Sequence, residues 1–189
     1  LVEEAISRIE THNPKLNAVS QKLYERARAQ AKAKLPDGPF KGVPFLIKDL
    51  HATIEGLPTS HGNRFWKNVP AAITTELARR WENSGVITIG RSNTPEFGLT
   101  PYTESDSLQP AHNPWDLSRS PGGSSGGSGA AVASRMVPIA SGGVATVYLA
   151  SSTGAVGFER DVAILVLRRR AEEGLEELRA LLEYAQAKG

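Results

Sequence analysis

Three short apolar runs, set among segments with helical patterns, constrain the fold of this chain more than any other feature. They occupy residues 43–47 (VPFLI), 86–89 (VITI) and 137–140 (VPIA). Each has the length of one strand and lacks regular polar alternation, which is typical of strands buried on both faces. Because helical segments separate the runs, the pattern predicts an α/β architecture in one domain.

The first half of the chain carries three helix signals. Apolar residues at helical spacing predict a helix that starts at Val2 and that Pro14 ends or bends. Residues 16–35 are rich in Ala, Lys, Arg and Gln and predict a second helix. Residues 72–84 predict a third helix, which Gly85 stops.

The second half begins with a long polar stretch at residues 94–119, which is interrupted by prolines and typical of a functional loop. A Gly-Ser segment and then a small-residue helix at 129–136 follow it. The last residues predict a helical tail with an apolar face. That face comprises Leu175, Leu178, Leu182 and Ala185.

Composition excludes several classes of protein. The 22 basic and 20 acidic residues leave a net charge of +2, which gives no support to a nucleic-acid partner. No apolar stretch reaches the roughly 20 residues of a membrane span, so a membrane partner is not expected. The chain has no cysteine, which removes disulfides, thiolate nucleophiles and cysteine-bound metals. Its acidic, amphipathic first residues differ from a signal peptide, so a cytoplasmic protein is expected.

The Gly-Ser segment SPGGSSGGS at residues 120–128 admits three interpretations. It could be a flexible linker, although it is short and leads directly into a helix. It could cradle a phosphate at a helix N-terminus, but it lacks the G-K-[ST] lysine and the G-x-G-x-x-G spacing. It could also supply a serine for nucleophilic catalysis, which requires a base within hydrogen-bond reach.

The base for such a serine is either a histidine or a neutral lysine. The four histidines lie in no recognisable motif, and each is expected on the surface or in a loop: His12, His51, His61 and His112. Lys48 directly follows a buried apolar run, where loss of solvent would lower its pKa. The alternative is a lysine that reaches the surface and pairs with Asp49.

Three segments, in order, resemble the amidase signature hydrolases. GVPFLIKD at 42–49 resembles the family's G-[VI]-P-x-x-[IVL]-K-D, and GRSNTPEFG at 90–98 resembles its G-K-[TS]-N-x-x-E-F-[GA]. NPWDLSRSPGGSSGGSGAAVA at 113–133 resembles the signature itself. The likeness runs from about residue 1 to 143. Within the family it points to bacterial amidases of the cyclic-amide and 6-aminohexanoate-cyclic-dimer hydrolase type.

The resemblance implies a mixed sheet flanked by helices and a Ser–cis-Ser–Lys triad that hydrolyses an amide through an acyl-enzyme. Lys48 matches the family's base, and Ser124 matches the bridging serine that follows a cis peptide bond. Ser125, Gly126 and Gly127 lie beside them. A small-molecule amide would be the substrate, and neither a metal nor a cofactor is implied. The oligomeric state stays open.

The likeness breaks where the nucleophilic serine is expected. Counting forward from Ser124 gives Tyr148, and counting back from the later A-S-x-x-G resemblance gives Ala145. Thr146 is the only serine or threonine in the gap, and no pattern brings it near Ser124. The nucleophile is therefore unknown.

A second break follows, because residues 159–165 resemble a later family helix with the intervening segment skipped. We therefore expect one partial domain over 1–189, well matched over 1–143 and fragmentary over 144–189. The incomplete triad leaves open a catalytically dead binding or assembly module, and the resemblance leaves open the A subunit of a tRNA-dependent amidotransferase. Four aromatic residues either line an acyl pocket or serve only in packing, without a binding role: Trp66, Phe97, Tyr102 and Trp115.

Overall fold

The computed structural model describes residues 1–142 and, by backbone alone, the strands at 145–153 and 159–167. Six strands form one sheet: β1 Val19–Lys22, β2 Pro44–Lys48, β3 Ile87–Ser92, β4 Ile139–Ser141, β5 Ala145–Thr153 and β6 Glu159–Leu167. Four helices are described: α1 Val2–Leu16, α2 Tyr24–Lys32, α3 Glu76–Asn83 and α4 Gly126–Ala133. A short 3₁₀ turn spans Glu96–Gly98.

The sheet is mixed, with the strand order β1-β3-β2-β4-β5-β6. The central strands β3, β2 and β4 run parallel, whereas β1, β5 and β6 join by antiparallel pairing. The expected α/β fold with a mixed sheet and flanking helices is confirmed. Its three parallel strands are those that the apolar runs predict.

Helices cover both faces of the central strands, and the alternation of side chains along β2 explains why. Leu46 lies in a core cluster with residues of α1 and α4. Phe45 and Ile47 point to the opposite cluster, where Phe45 meets Trp81 of α3 at a ring distance of 5.3 Å. Successive residues of a strand face opposite sides, so a strand buried on both sides must be apolar throughout.

The N-terminal region differs from prediction in two places: Pro14 does not end the first helix, and the second predicted helix is wrong. Helix α1 continues past Pro14 to Leu16 and ends at Asn17, which adopts a left-handed conformation with φ of 46°. The helix predicted over 16–35 is instead split into β1 and α2. Helix-forming composition is a weak preference, and here the antiparallel hydrogen bonds between β1 and β3 outweigh it.

Other element boundaries move by a few residues, and one element changes type. Helix α3 begins four residues later than predicted, and α4 begins three residues earlier, inside the Gly-Ser segment. Residues 159–165, expected to be helical from the resemblance, lie in β6, which pairs antiparallel with β5 over nine residues. The run Val-Ala-Ile-Leu-Val-Leu at 162–167 suits a strand. The predicted helical tail lies outside the described residues.

Candidate active site

The candidate site lies at the carboxyl edge of the three parallel strands. Lys48, Ser92 and Ser141 are the last residues of β2, β3 and β4. The N-terminus of α4, with Ser124 and Ser125 just before it, lies against this edge. In open α/β sheets this edge is where ligands bind, because polar residues that follow each strand converge there.

Lys48 and the two serines form the centre of the site. The Lys48 side chain is buried, and its residue is only 1% exposed. Its Nζ lies 2.8 Å from Ser124 Oγ and 3.1 Å from Ser125 Oγ. Burial lowers the pKa of Lys48 from 10.5 to about 8, because the charged ammonium loses its water. About one-tenth of such a lysine is neutral at pH 7 and able to accept a proton.

The Gly-Ser loop is held in place by contacts from the preceding polar loop. The peptide bond between Gly123 and Ser124 is cis. Thr103 Oγ1 donates a hydrogen bond to the Gly122 carbonyl at 2.8 Å and accepts one from the Gly126 N–H at 3.0 Å. Thr94 Oγ1 lies 3.3 Å from the Ser124 carbonyl. Because Thr103 is fully buried, these hydrogen bonds are shielded from competition with water.

Gly126 and Gly127 form the first turn of α4 and are buried. A Cβ at Gly126 would lie 2.3 Å from Thr103 Oγ1, and one at Gly127 would lie 2.4 Å from the backbone nitrogen of Asn93. Real Cβ atoms do not approach so closely. These two glycines therefore let the start of α4 pack directly on the loops that surround Lys48.

Lys48 does not pair with Asp49 at the surface, so that alternative is wrong. Asp49 is buried, and its carboxylate accepts hydrogen bonds from the Ser60 backbone N–H at 2.8 Å and the Ser60 hydroxyl at 2.5 Å. Arg91, fully buried on β3, donates to the Ala52 carbonyl at 3.0 Å. Two of its nitrogens, Nε and the second terminal nitrogen, have no partner among the described residues.

The histidines and the candidate aromatic residues lie at or near the surface. His61 is half-buried, and burial lowers its pKa. The rings of Trp66 and Phe97 lie 6.3 and 6.5 Å from it. All four aromatic candidates are at least 46% exposed: Trp66, Phe97, Tyr102 and Trp115. They are therefore not core residues.

Sequence reasoning missed several residues of the site. Thr103 lies in the polar loop and carries no motif. Ser92 lies in the family-like segment at 90–98 without an assigned role, and Ser141 directly follows an apolar run. The nucleophile stays unassigned, because the two positions to which the resemblance points hold Ala145 and Tyr148. Thr146 is described by backbone only, where it pairs with Ser141. Within the described ranges, no cluster of three His, Asp or Glu residues has metal-binding geometry.

The described part of the chain also contains no helix that is both long and apolar enough to cross a membrane.

Chemically, the central feature of the site is a desolvated amine in contact with two hydroxyl groups. A neutral amine in this position accepts a proton from a hydroxyl, which makes the oxygen more nucleophilic or lets it relay a proton.

Comparison with known proteins shows the family of this chain. The amidase family model matches residues 1–143, and the chain belongs to this family. It is 38% identical over 164 residues to the 6-aminohexanoate-cyclic-dimer hydrolase of Paenarthrobacter ureafaciens, covering 84% of this chain and 33% of that protein. A solved structure of a 6-aminohexanoate cyclic dimer hydrolase with substrate superposes with a TM-score of 0.70 at 39% identity, over 74% of this chain and 29% of the other.

A second type of relative is also similar. The chain is 38% identical over 148 residues to the A subunit of the glutamyl-tRNA(Gln) amidotransferase of Halorhodospira halophila, covering 75% of this chain and 30% of that protein. The chain thus spans about a third of the length of the relatives that it matches.

Proposed function

We propose that this chain carries the base and the proton relay of a Ser–cis-Ser–Lys centre that hydrolyses a small-molecule amide. The observation that carries the proposal is the contact between buried Lys48 and Ser124, with Nζ and Oγ 2.8 Å apart. A lysine with a pKa of about 8 is close enough to neutrality to act as a base near physiological pH.

In the proposed mechanism, neutral Lys48 accepts the proton of Ser124 as Ser124 accepts the proton of the nucleophilic serine. The nucleophile attacks the amide carbonyl, so a C–O bond forms and the C–N bond then breaks. The same relay returns the proton to the leaving amine, and water hydrolyses the acyl-enzyme. Lys48 Nζ also donates a hydrogen bond to Ser125 Oγ at 3.1 Å, which orients the lone pair of the neutral amine towards Ser124. The nucleophile itself is unassigned in this sequence.

A non-catalytic binding role is the second candidate. The observation that favours it is the sequence at 143–150 (GVATVYLA), which has no serine where the family places its nucleophile. A role as an amidotransferase A subunit is the third candidate, supported by the similarity to such proteins. That role would require an ammonia-supplying partner and contact with a tRNA complex.

The test is hydrolysis of a panel of linear and cyclic aliphatic amides by the chain and by its Ser124→Ala variant. If the proposal is right, the chain hydrolyses at least one amide, and Ser124→Ala lowers kcat/KM by about 100-fold, because the proton relay is lost. Ser134→Ala is the matched control. Its hydroxyl bonds the Ala130 carbonyl at the far end of the same helix, and its kcat/KM should stay unchanged.

Three outcomes would contradict the proposal. Absence of hydrolysis above the uncatalysed rate across the panel would favour the binding role. Equal kcat/KM for Ser124→Ala and the unmodified chain would remove Ser124 from the mechanism. Amide formation only in the presence of a tRNA complex would favour the amidotransferase role.

A further inference from the structure

Ser141, the last residue of β4, makes an unusual contact with the backbone of the candidate base. Its Oγ accepts a hydrogen bond from the Lys48 N–H at 2.8 Å. The parallel register between β2 and β4 covers Phe45–Ile139 and Leu46–Ala140. Beyond these pairs, at Lys48, the backbone N–H bonds to a side-chain hydroxyl and not to a carbonyl of the neighbouring strand. Ser141 is fully buried, so water does not compete for this hydrogen bond.

Two further buried serines continue the network. Ser128, in the first turn of α4, donates its hydroxyl proton to the Ser141 carbonyl at 2.6 Å. Ser92 Oγ lies 2.6 Å from Ser128 Oγ. A serine hydroxyl has one proton to donate, and Ser128 has already used its own. Ser92 is therefore the donor in the second contact, and the hydrogen bonds run in one direction from Ser92 to Ser141.

Strand pairing between β2 and β3, and not a further side-chain hydrogen bond, closes the path. Ser92 is the register partner of Lys48 in the parallel pair of β2 and β3. A closed path therefore leads from Lys48 to Ser92, Ser128 and Ser141, and back to the Lys48 N–H. We call this path the serine ring. It connects the ends of the three parallel strands with the first turn of α4, and Ser92, Ser128 and Ser141 are all 0% exposed.

The serine ring also fixes the distance between the base and its relay. Ser128 follows Ser124 by four residues and Ser125 by three, so only a short stretch of chain joins it to both serines. Holding Ser128 against the strand ends therefore holds Ser124 and Ser125 above Lys48. The same bonds hold the backbone from which the Lys48 side chain extends.

We infer that Ser141 and Ser128 are positioning residues, whose hydroxyls hold Lys48 within hydrogen-bond reach of Ser124. This inference rests on the proposed function, since the position of Lys48 matters for catalysis only if Lys48 is the base. It goes further by assigning a role to two serines outside the triad. Neither serine touches the reacting atoms.

The charged groups around Lys48 make its titration a sensitive test of position. Asp49, on the same strand end, has its carboxylate engaged by Ser60. Arg91, on the adjacent strand β3, directs its side chain to the Ala52 carbonyl. Burial is the cause of the lowered Lys48 pKa. Movement of Lys48 out of its buried position should therefore raise its pKa towards the ordinary value.

The experiment is an NMR titration of the full chain labelled with ¹³C at the lysine Cε. The Lys48 resonance is identified by its disappearance in Lys48→Met. We expect Ser141→Ala to raise the Lys48 pKa by about one pH unit or more, because Lys48 gains contact with water. Ser141→Thr keeps the hydroxyl and suits a strand, so it should restore the pKa of the unmodified chain. Ser134→Ala should leave that pKa unchanged.

Urea unfolding of the same variants separates positioning from simple stabilisation. A folded Ser141→Ala protein with lower stability but an unchanged Lys48 pKa would overturn the inference. If Ser141→Ala does not fold, Ser128→Ala is judged by the same criterion, since it leaves the Lys48 N–H contact in place. The titration requires no turnover. A chain that hydrolyses no amide would therefore contradict the proposed function, whereas an unchanged pKa would contradict only the role of the serine ring.

Discussion

Replacing Lys48 with methionine is expected to abolish the proposed amide hydrolysis and, at pH 7, to make the fold more stable. Methionine is close to lysine in length and apolar, so it fills the buried space without a charge. Loss of the base should lower kcat/KM by about 10³–10⁴-fold. The stability gain follows because burying a charged amine in an apolar environment lowers the free energy of unfolding, and methionine removes that charge.

The direction of the stability change depends on pH. Below about pH 8, Lys48 is protonated in both the folded and the unfolded chain, and the folded chain bears the full desolvation cost. The gap between a pKa of 10.5 and one of about 8 corresponds to about 3 kcal/mol. As the pH rises from 8 to 10.5, the unfolded chain binds more protons than the folded chain, so stability increases. Above about 10.5 the cost is absent.

Methionine also removes the hydrogen bonds to Ser124 and Ser125, which contribute about 1 kcal/mol each. Below pH 8 the expected net gain in the free energy of unfolding is therefore about 1 kcal/mol. Above pH 10.5 the variant should be less stable than the unmodified chain by about 2 kcal/mol. A change of sign between the two pH ranges is thus the expected signature.

Urea unfolding at pH 7 and at pH 10.5 measures this effect. Lys41→Met is the matched control, because the Lys41 side chain is 54% exposed and its ion pair with Asp37 lies at the surface. It should show no change of sign. If Lys48→Met were destabilised equally at both pH values, Lys48 would not be a desolvated amine in the folded chain.

The sequence predicted the parts of the fold that depend on local pattern. The three apolar runs became the three parallel strands, because burial on both faces requires apolar residues at every position. The short strand β1 was not predicted, since Val-Ser-Gln-Lys at 19–22 has little strand character by itself. It forms through pairing with β3, which is about 70 residues away along the chain.

The same limit applies to the site. The position of Lys48 directly after a buried run is a local property; it made Lys48 a candidate base but left a surface pair with Asp49 equally open. Its contact with Ser124 spans 76 positions along the chain, and only the family resemblance suggested it. The contact of Ser141 with the Lys48 backbone spans 93 positions and has no motif. Hydrogen bonds between distant buried residues depend on the packed structure, and no periodicity in the sequence encodes them.

Replacing Gly127 with alanine is expected to destabilise the chain strongly, although alanine is normally favoured in a helix. The added Cβ would lie 2.4 Å from the Asn93 nitrogen, 2.5 Å from the Asn93 oxygen and 2.7 Å from the Ala18 oxygen. All three are backbone atoms. The Asn93 N–H also donates to the Ala18 carbonyl at 2.8 Å, so the methyl group would press on an existing hydrogen bond. Overpacking of this kind costs about 1–3 kcal/mol, and the upper end is expected here.

Gly129 provides the matched control two residues further along α4. A Cβ there meets no atom within 4 Å, so Gly129→Ala should stabilise the chain by about 0.5–1 kcal/mol through helix propensity alone. Urea unfolding of the two variants should therefore give changes of opposite sign. Equal changes would mean that α4 does not pack on Asn93 as described. Gly127 lies three residues after Ser124, so a folded Gly127→Ala protein in which the start of α4 shifts should show a raised Lys48 pKa, whereas Gly129→Ala should leave that pKa unchanged.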